Sequence, residues 1–468
     1  MSGNVVIVGG GISGLVAALL AARRNARNVF LVERESTVGG LLRSFDYGAF
    51  GHFDYGMHNM FETGVTELDA MLFDLLPRNE WQLLEGNRRD LAGLFYQGRL
   101  QRNSPYPDLR MLTGERREAC VSDFFAQINA GIAIDQSSAY TYARTRFGQW
   151  IADNVLGPSV EKQFGRPAEE MDVMATMLTT MNRVVIFDEP AICNLMKSDL
   201  LRERIAYPEQ RNLPLAWASG KKAYYPKRYG MYRLVEALCQ ELAKMGVSIL
   251  TSTQVKKLNT SNARVDSMVL DCAGIERELD HVHQLFWTAG LPSLAPLMGV
   301  NLKALPFDKP LKTVVVNILL NKPLNVDDLY YFYCYDHGHM TFRVTNFSGY
   351  CEGAKRAGGY PVAVELLVSQ ERPDFSELEK YAKDELDAFG VLQPDTEMLF
   401  VRAEPLAAGF PMPSLKNMSS LSVIRESIRS ANLTNLAMLG ILSEERLFFQ
   451  RDVLVHTFAT VTGGEYSN

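Results

Sequence analysis

Cysteine is sparse in this 468-residue chain and nowhere paired at short spacing. Cys120, Cys193, Cys239, Cys272, Cys334 and Cys351 are scattered, with no C-x-x-C among them. That argues against a zinc site and a disulfide framework, so no metal centre is expected. Positive charge is short as well: Lys+Arg 48 against Asp+Glu 54 leaves −6. Without a concentrated basic patch, nucleic acid is not an expected partner. An export signal is missing, and a reducing cytoplasm is the expected compartment. Repeats and low-complexity linkers are absent too, so any second domain is expected to be interleaved with the first.

One uncharged run could mislead. Residues 5–22 contain no charge, a length that suits a membrane span or a signal core. No basic residue precedes the run, and its glycines cluster at one point. A turn is the better reading, and no transmembrane segment is expected.

What is present is ordinary for a soluble globular protein, 47% hydrophobic and 22% charged, with length enough for two or three domains. The informative stretch is the first. Asn4–Val8 is an apolar run suited to a buried parallel strand, followed by Gly9-Gly10-Gly11-Ile12-Ser13-Gly14, a G-x-G-x-x-G pattern. An alanine- and leucine-rich helix over 15–24 and a second strand over 29–32 complete the unit. Glu33 ends that strand, nineteen residues after Gly14. In this arrangement Gly9 allows the tight turn, Gly11 lets backbone approach a pyrophosphate, and Gly14 lets helix and strand pack closely. The helix N-terminus, with Ile12 and Ser13, offers free N–H groups to the phosphates. Glu33 can accept hydrogen bonds from both ribose hydroxyls. A dinucleotide is the expected ligand.

Arg34-Glu35-Ser36-Thr37-Val38-Gly39-Gly40-Leu41-Leu42-Arg43-Ser44 follows. Gly39 and Gly40 let a second backbone segment reach the pyrophosphate, and Arg43 can fix a charge beside it. This combination resembles the FAD-dependent flavoprotein superfamily of amine oxidases, protoporphyrinogen oxidases, phytoene desaturases and UDP-galactopyranose mutases. The resemblance implies an α/β fold: a Rossmann-like FAD-binding domain with an interleaved substrate domain, mainly an antiparallel sheet plus helices. It implies an FAD-binding domain from residues 1–75, 224–300 and 405–468, a helical insertion over the flavin from 76–223, and a substrate-domain sheet and helix from 301–404.

Other segments carry the resemblance further. Asp54-Tyr55-Gly56-Met57-His58 is similar to the family's D-x-G-x-H segment, which implies that Gly56, Met57 and His58 lie at the flavin and that His58 is a candidate for proton transfer. Val255, after a helix and Gly246-Val247-Ser248-Ile249, matches the valine that meets the adenine through its backbone. Thr288-Ala289-Gly290 resembles the family's T-A-P turn beneath the cofactor. Arg343 lies in a strand similar to the f-x-R-v strand of sugar-nucleotide relatives, where it would face a substrate anion, with Glu365 following. Gly440, Phe449, Asp452 and Val453 belong to a stretch resembling the last FAD segment. That stretch departs from the mutase pattern. Ile441 stands where mutases carry arginine, Ser443 where they carry glycine and Gln450 where they carry an acid, with Arg446 or Arg451 as possible replacements for the charge.

The implied activity is an FAD-dependent oxidoreductase taking a hydride from a small anionic substrate, a nucleotide-linked sugar among the options. The alternative is a mutase-like isomerase using reduced flavin as nucleophile. The expected partner is a small-molecule substrate; no oligomeric state is read from the sequence.

Overall fold

The computed structural model describes residues 3–24, 26, 28–84, 91–218, 222–351, 353–369, 373–406 and 411–463. Five short parallel strands carry the opening motif, in the order Ser248–Leu250, Asn28–Val32, Asn4–Val8, Val282–Trp287 and Leu436–Met438. Val5 to Val8 are all buried, as a central parallel strand covered on both faces requires. Helices Ile12–Arg23, Tyr232–Lys244 and Gln450–Thr462 pack together on this sheet. The segments expected to form one discontinuous domain therefore share a single sheet, with an antiparallel meander of Thr253–Ser261, Arg264–Cys272 and Ile275–Leu279 beside it.

A second sheet has seven strands, in the order Met398–Pro405, Lys312–Leu320, Tyr360–Val368, Thr341–Asn346, Tyr331–Cys334, Ala92–Tyr96 and Arg99–Gln101. Every pairing is antiparallel except that of Tyr331–Cys334 with Ala92–Tyr96. The insertion expected to be helical over 76–223 thus also lends a hairpin, Ala92–Tyr96 with Arg99–Gln101, to this second sheet. The cause is local. Ala92–Tyr96 is buried throughout, and a Cβ on Gly93 would stand 2.7 Å from Leu329 Cδ1 and 2.8 Å from Gln101 O. Only glycine lets the hairpin close there. Trp81–Leu84, from the same stretch, pairs with Ala223–Pro226 in a small sheet that also holds Met60–Phe61.

The rest of 76–223 is mainly helical, with one interruption. The helix that begins at Ala139 stops at Phe147, because Gly148 has φ +99 and a Cβ there would lie 2.4 Å from Asp123 Oδ2. Asp123 accepts from Trp150 N at 2.7 Å and restarts the chain as a short helix and a π turn. No helix among the described residues is long and apolar enough to cross a membrane.

Candidate functional site

The glycine turn forms a cradle, and its glycines are needed for different reasons. Gly9 has φ +108, and a Cβ on it would stand 2.4 Å from Thr288 Oγ1. Gly14 carries the close packing, since a Cβ there would lie 1.8 Å from Gly9 O. Gly11 differs from both: a Cβ on it would meet nothing within 4 Å. The chain itself does not need glycine at 11, so the bare backbone faces open space at the N-terminus of a twelve-residue helix.

Gly39 and Gly40 come to this turn as expected. Gly39 N donates to Gly10 O at 2.7 Å, Gly39 bridges to Gly11, and a Cβ on Gly40 would touch Gly11 Cα at 3.1 Å. Leu41 is exposed on the same turn. Arg43 donates from Nε to Gly40 O at 3.0 Å and lies over the Tyr55 ring. Arg34 is exposed and pairs with Glu35 at 3.1 Å, and no contact carries it into the cradle.

Glu33 stands at the strand tip, accepting from Gly10 N at 2.6 Å and Glu35 N at 2.9 Å through different oxygens. Each oxygen keeps a second lone pair for a hydroxyl donor. Thr253 N donates to Glu33 O at 2.8 Å, which brings the strand holding Val255 to the same edge. Val255 is buried there beside a register shift in the meander. Thr288 Oγ1 lies 3.0 Å from both Val8 O and Gly9 O. The Ala289 and Gly290 carbonyls accept from Ser293 Oγ, each at 2.8 Å. Gly440 has φ +90, and a Cβ there would come 3.0 Å from Thr288 O. Ser13 Oγ and Thr457 Oγ1, 2.8 Å apart, lock the first helix to the last. The N-terminus of that last helix carries Phe449, Asp452 and Val453.

A cavity of about 450 Å³ opens at this helix start, lined by Met57, His58, Asn59, Phe61, Tyr331, Arg343, Phe449, Gln450, Arg451 and Asp452. The structure thus brings His58 and Arg343 together with the last segment. A larger hollow of about 580 Å³ lies at the Arg99–Gln101 edge, but its charges neutralise one another through Arg102–Asp327, Arg211–Glu209 and Arg211–Asp328 pairs. It shares no lining residue with the glycine turns or with the cavity at the last helix.

His58 is partly covered. Desolvation first, then the Arg343 charge, lowers its pKa to about 4, so the imidazole is neutral at pH 7. Arg343, expected to face a substrate anion with Glu365 following, is paired with that carboxylate. Its Nε donates to Glu365 Oε1 at 2.7 Å and its Nη2 to Glu365 Oε2 at 3.0 Å. Nη1 has no partner among the described residues. The pair also explains Gly56, whose φ is +95 and whose Cβ would stand 2.9 Å from Glu365 Oε1. Glycine at 56 is required by this ion pair within the chain, before any ligand is considered.

Sequence reasoning missed Asn59, Phe61 and Tyr331 as cavity walls, because nothing in their local pattern marks them. It also missed what holds the 54–58 segment. Asp54 is buried, and Oδ2 accepts from Tyr225 Oη at 2.6 Å and Met231 N at 3.2 Å, while its backbone N donates to Tyr229 Oη at 2.8 Å. Burial raises its pKa to about 7 against the lowering effect of those bonds. Of the two replacements considered for the charge lost at Ile441, Arg446 turns to Gln136 at 2.9 Å. Arg451 lines the cavity.

The open cradle at Gly11, the second glycine turn against it and Glu33 at the strand tip define the glycine-turn edge of a Rossmann-like sheet in an α/β protein with an interleaved antiparallel sheet. Residues 7–75 match the NAD(P)-binding Rossmann-like domain family. No curated protein matches in sequence. Among solved structures, reduced UDP-galactopyranose mutase is similar with TM-score 0.74 at 17% identity, over 98% of this chain and 93% of that one. A protoporphyrinogen oxidase-like protein from Exiguobacterium sp. 255-15 is similar with TM-score 0.70 at 16% identity, over 99% and 98%. An oxidoreductase from Methanosarcina mazei gives 0.56 at 12% identity, over 98% and 100%. The chain has a Rossmann-like domain within the fold these proteins share.

Proposed function

We propose that the chain is an FAD-dependent oxidoreductase, of the amine oxidase and protoporphyrinogen oxidase type, that takes a hydride from a small anionic substrate. Nucleotide-linked sugars are the first class to test. The observation that carries this reading is the unfilled space at Gly11, where backbone alone faces outward, in line with a cavity that holds a neutral histidine. Gly9 to Gly14 and Gly39 to Arg43 would hold the pyrophosphate, Glu33 and Val255 the adenosine, and Thr288–Gly290, Gly440, Phe449, Asp452 and Val453 the remainder. Gly56, Met57 and His58 would meet the ring.

When bound, FAD supplies the hydride acceptor. The chain supplies placement and electrostatics. Neutral His58 can give or take a hydrogen bond at a ring nitrogen without adding charge. Phe61, Tyr331 and Phe449 supply the aromatic part of the cavity wall. Arg343, its charge balanced by Glu365, contributes the positive end of that pair and the free Nη1 edge. Ile441 in place of an arginine weighs against mutase chemistry.

The test is anaerobic mixing of FAD-loaded protein with sugar nucleotides, amines and porphyrinogens. Bleaching of the oxidised flavin spectrum by one of them is expected. Turnover that requires prior dithionite reduction, without bleaching, would replace this reading with the mutase one.

A further inference from the structure

The charge absent from the glycine turn at Ile441 reappears on the cavity wall, supplied from the first turn of the last helix. Arg451 is held there at two nitrogens: Nε donates to Thr63 O at 3.1 Å and Nη1 to Asp452 Oδ1 at 3.1 Å. Its Nη2 has no partner among the described residues; a Cβ on Gly64 would lie 3.8 Å from it. On the sheet side of the same cavity, Arg343 is also held at two nitrogens, both by Glu365. Each arginine thus has its fork fixed by the chain and one nitrogen left over. A guanidinium fixed in this way loses little entropy on taking a further acceptor.

We propose that Arg451 is the specificity-determining residue for the anionic end of the substrate, gripping a phosphoryl or carboxylate oxyanion through Nη2 while Arg343 faces it from the sheet. Asp452 is no rival for this role. It accepts from Arg451 Nη1 in the first helical turn, where the N-terminal dipole favours an acidic side chain, and it fixes Arg451 without covering Nη2. The Thr63 carbonyl ties Arg451 to the segment that carries Met57, His58 and Asn59. An oxyanion bound between the two arginines would therefore lie beside His58, with Phe61, Tyr331 and Phe449 for the apolar part of the same molecule.

The proposal rests on the oxidoreductase reading for the identity of the site, but its test does not need turnover. Inorganic pyrophosphate and succinate are titrated calorimetrically into the full chain, both apo and FAD-loaded, for wild type, Arg451→Gln, Arg451→Lys and Arg446→Gln. In the loaded protein the dinucleotide cradle is filled, so residual pyrophosphate binding reports the cavity. Loss of a charge-assisted hydrogen bond predicts roughly 10- to 100-fold weaker binding for Arg451→Gln, partial recovery in Arg451→Lys, and wild-type behaviour in Arg446→Gln. Tighter binding of pyrophosphate than succinate would assign the phosphoryl source, and the reverse order the carboxylate. Undiminished binding by Arg451→Gln, or no binding of either anion by the wild type, would overturn the proposal. Unaltered FAD retention in the same variants would leave the oxidoreductase reading standing, while failure of the wild type to hold FAD would strike that reading and not this one.

Discussion

Gly11 and Gly14 stand three residues apart in one motif, yet the structure predicts opposite consequences for replacing them. A Cβ on Gly11 meets nothing within 4 Å, and its backbone, at φ −72 and ψ 178, suits any residue. Replacing glycine where the conformation is compatible stabilises by about 0.4–1 kcal/mol through the unfolded chain. Losing glycine at an N-cap costs a similar amount. Gly11→Val should therefore leave the stability of the FAD-free chain within about 1 kcal/mol of wild type. Its side chain would occupy the space that the pyrophosphate needs. Losing two charge-assisted bonds to backbone N–H groups, about 1.5–3 kcal/mol each, predicts roughly 10²- to 10⁴-fold weaker FAD binding. Gly14→Ala instead drives a methyl to 1.8 Å from Gly9 O and should unfold the turn. Urea denaturation of FAD-free protein, paired with FAD titration, separates the two effects. A Gly11→Val protein that holds FAD as tightly as wild type, or one as unstable as Gly14→Ala, would refute the placement of the pyrophosphate.

Other consequences follow from the buried charges. Asp54 has a raised pKa, about 7, so its contribution to stability is fully present below the unfolded value near 4 and is lost as pH rises toward 7. Asp54→Asn should flatten that slope in melting temperature against pH, and an unchanged slope would show that Asp54 does not titrate with folding. His58 has a lowered pKa, about 4, so the unfolded chain takes up a proton first and stability falls as pH drops from about 6.5 to about 4. His58→Asn should remove that fall, and an NMR titration of the wild type should show no His58 step near pH 6.5. Removing either Arg343 or Glu365 alone should cost about 3–5 kcal/mol by leaving a buried charge unpaired, while Arg343→Met with Glu365→Leu should recover most of it. Denaturant midpoints of the three variants check this. Additive losses would mean the pair is not coupled.

The parts of the fold written in local pattern were legible without coordinates. Asn4–Val8, Lys312–Leu320 and Tyr360–Val368 are strands with the boundaries their apolar runs suggest, and the glycine turn with Glu33 follows from spacing alone. What escaped notice was decided between distant segments. Ala92–Tyr96 joins the second sheet because Tyr331–Cys334 presents it a parallel partner, and no feature within residues 76–223 encodes that neighbour. Gly56 looked like a concession to a ligand, but the Arg343–Glu365 pair already demands it. The bidentate geometry of Arg343 with Glu365 joins two neighbouring strands and is written in neither strand's own pattern. Asp54, its tyrosine partners and the role of Arg451 depend on elements 171 to 388 residues apart in sequence.

The central claim is that the groove between the two glycine turns takes one FAD. The most direct measurement is an equilibrium titration of the purified apo chain with FAD, followed by flavin absorbance and fluorescence and repeated on Gly11→Val. One FAD bound per chain at micromolar or lower concentration, abolished in the variant, is the predicted result. A wild-type chain that stays colourless at micromolar FAD, or a Gly11→Val chain that loads equally well, would contradict it.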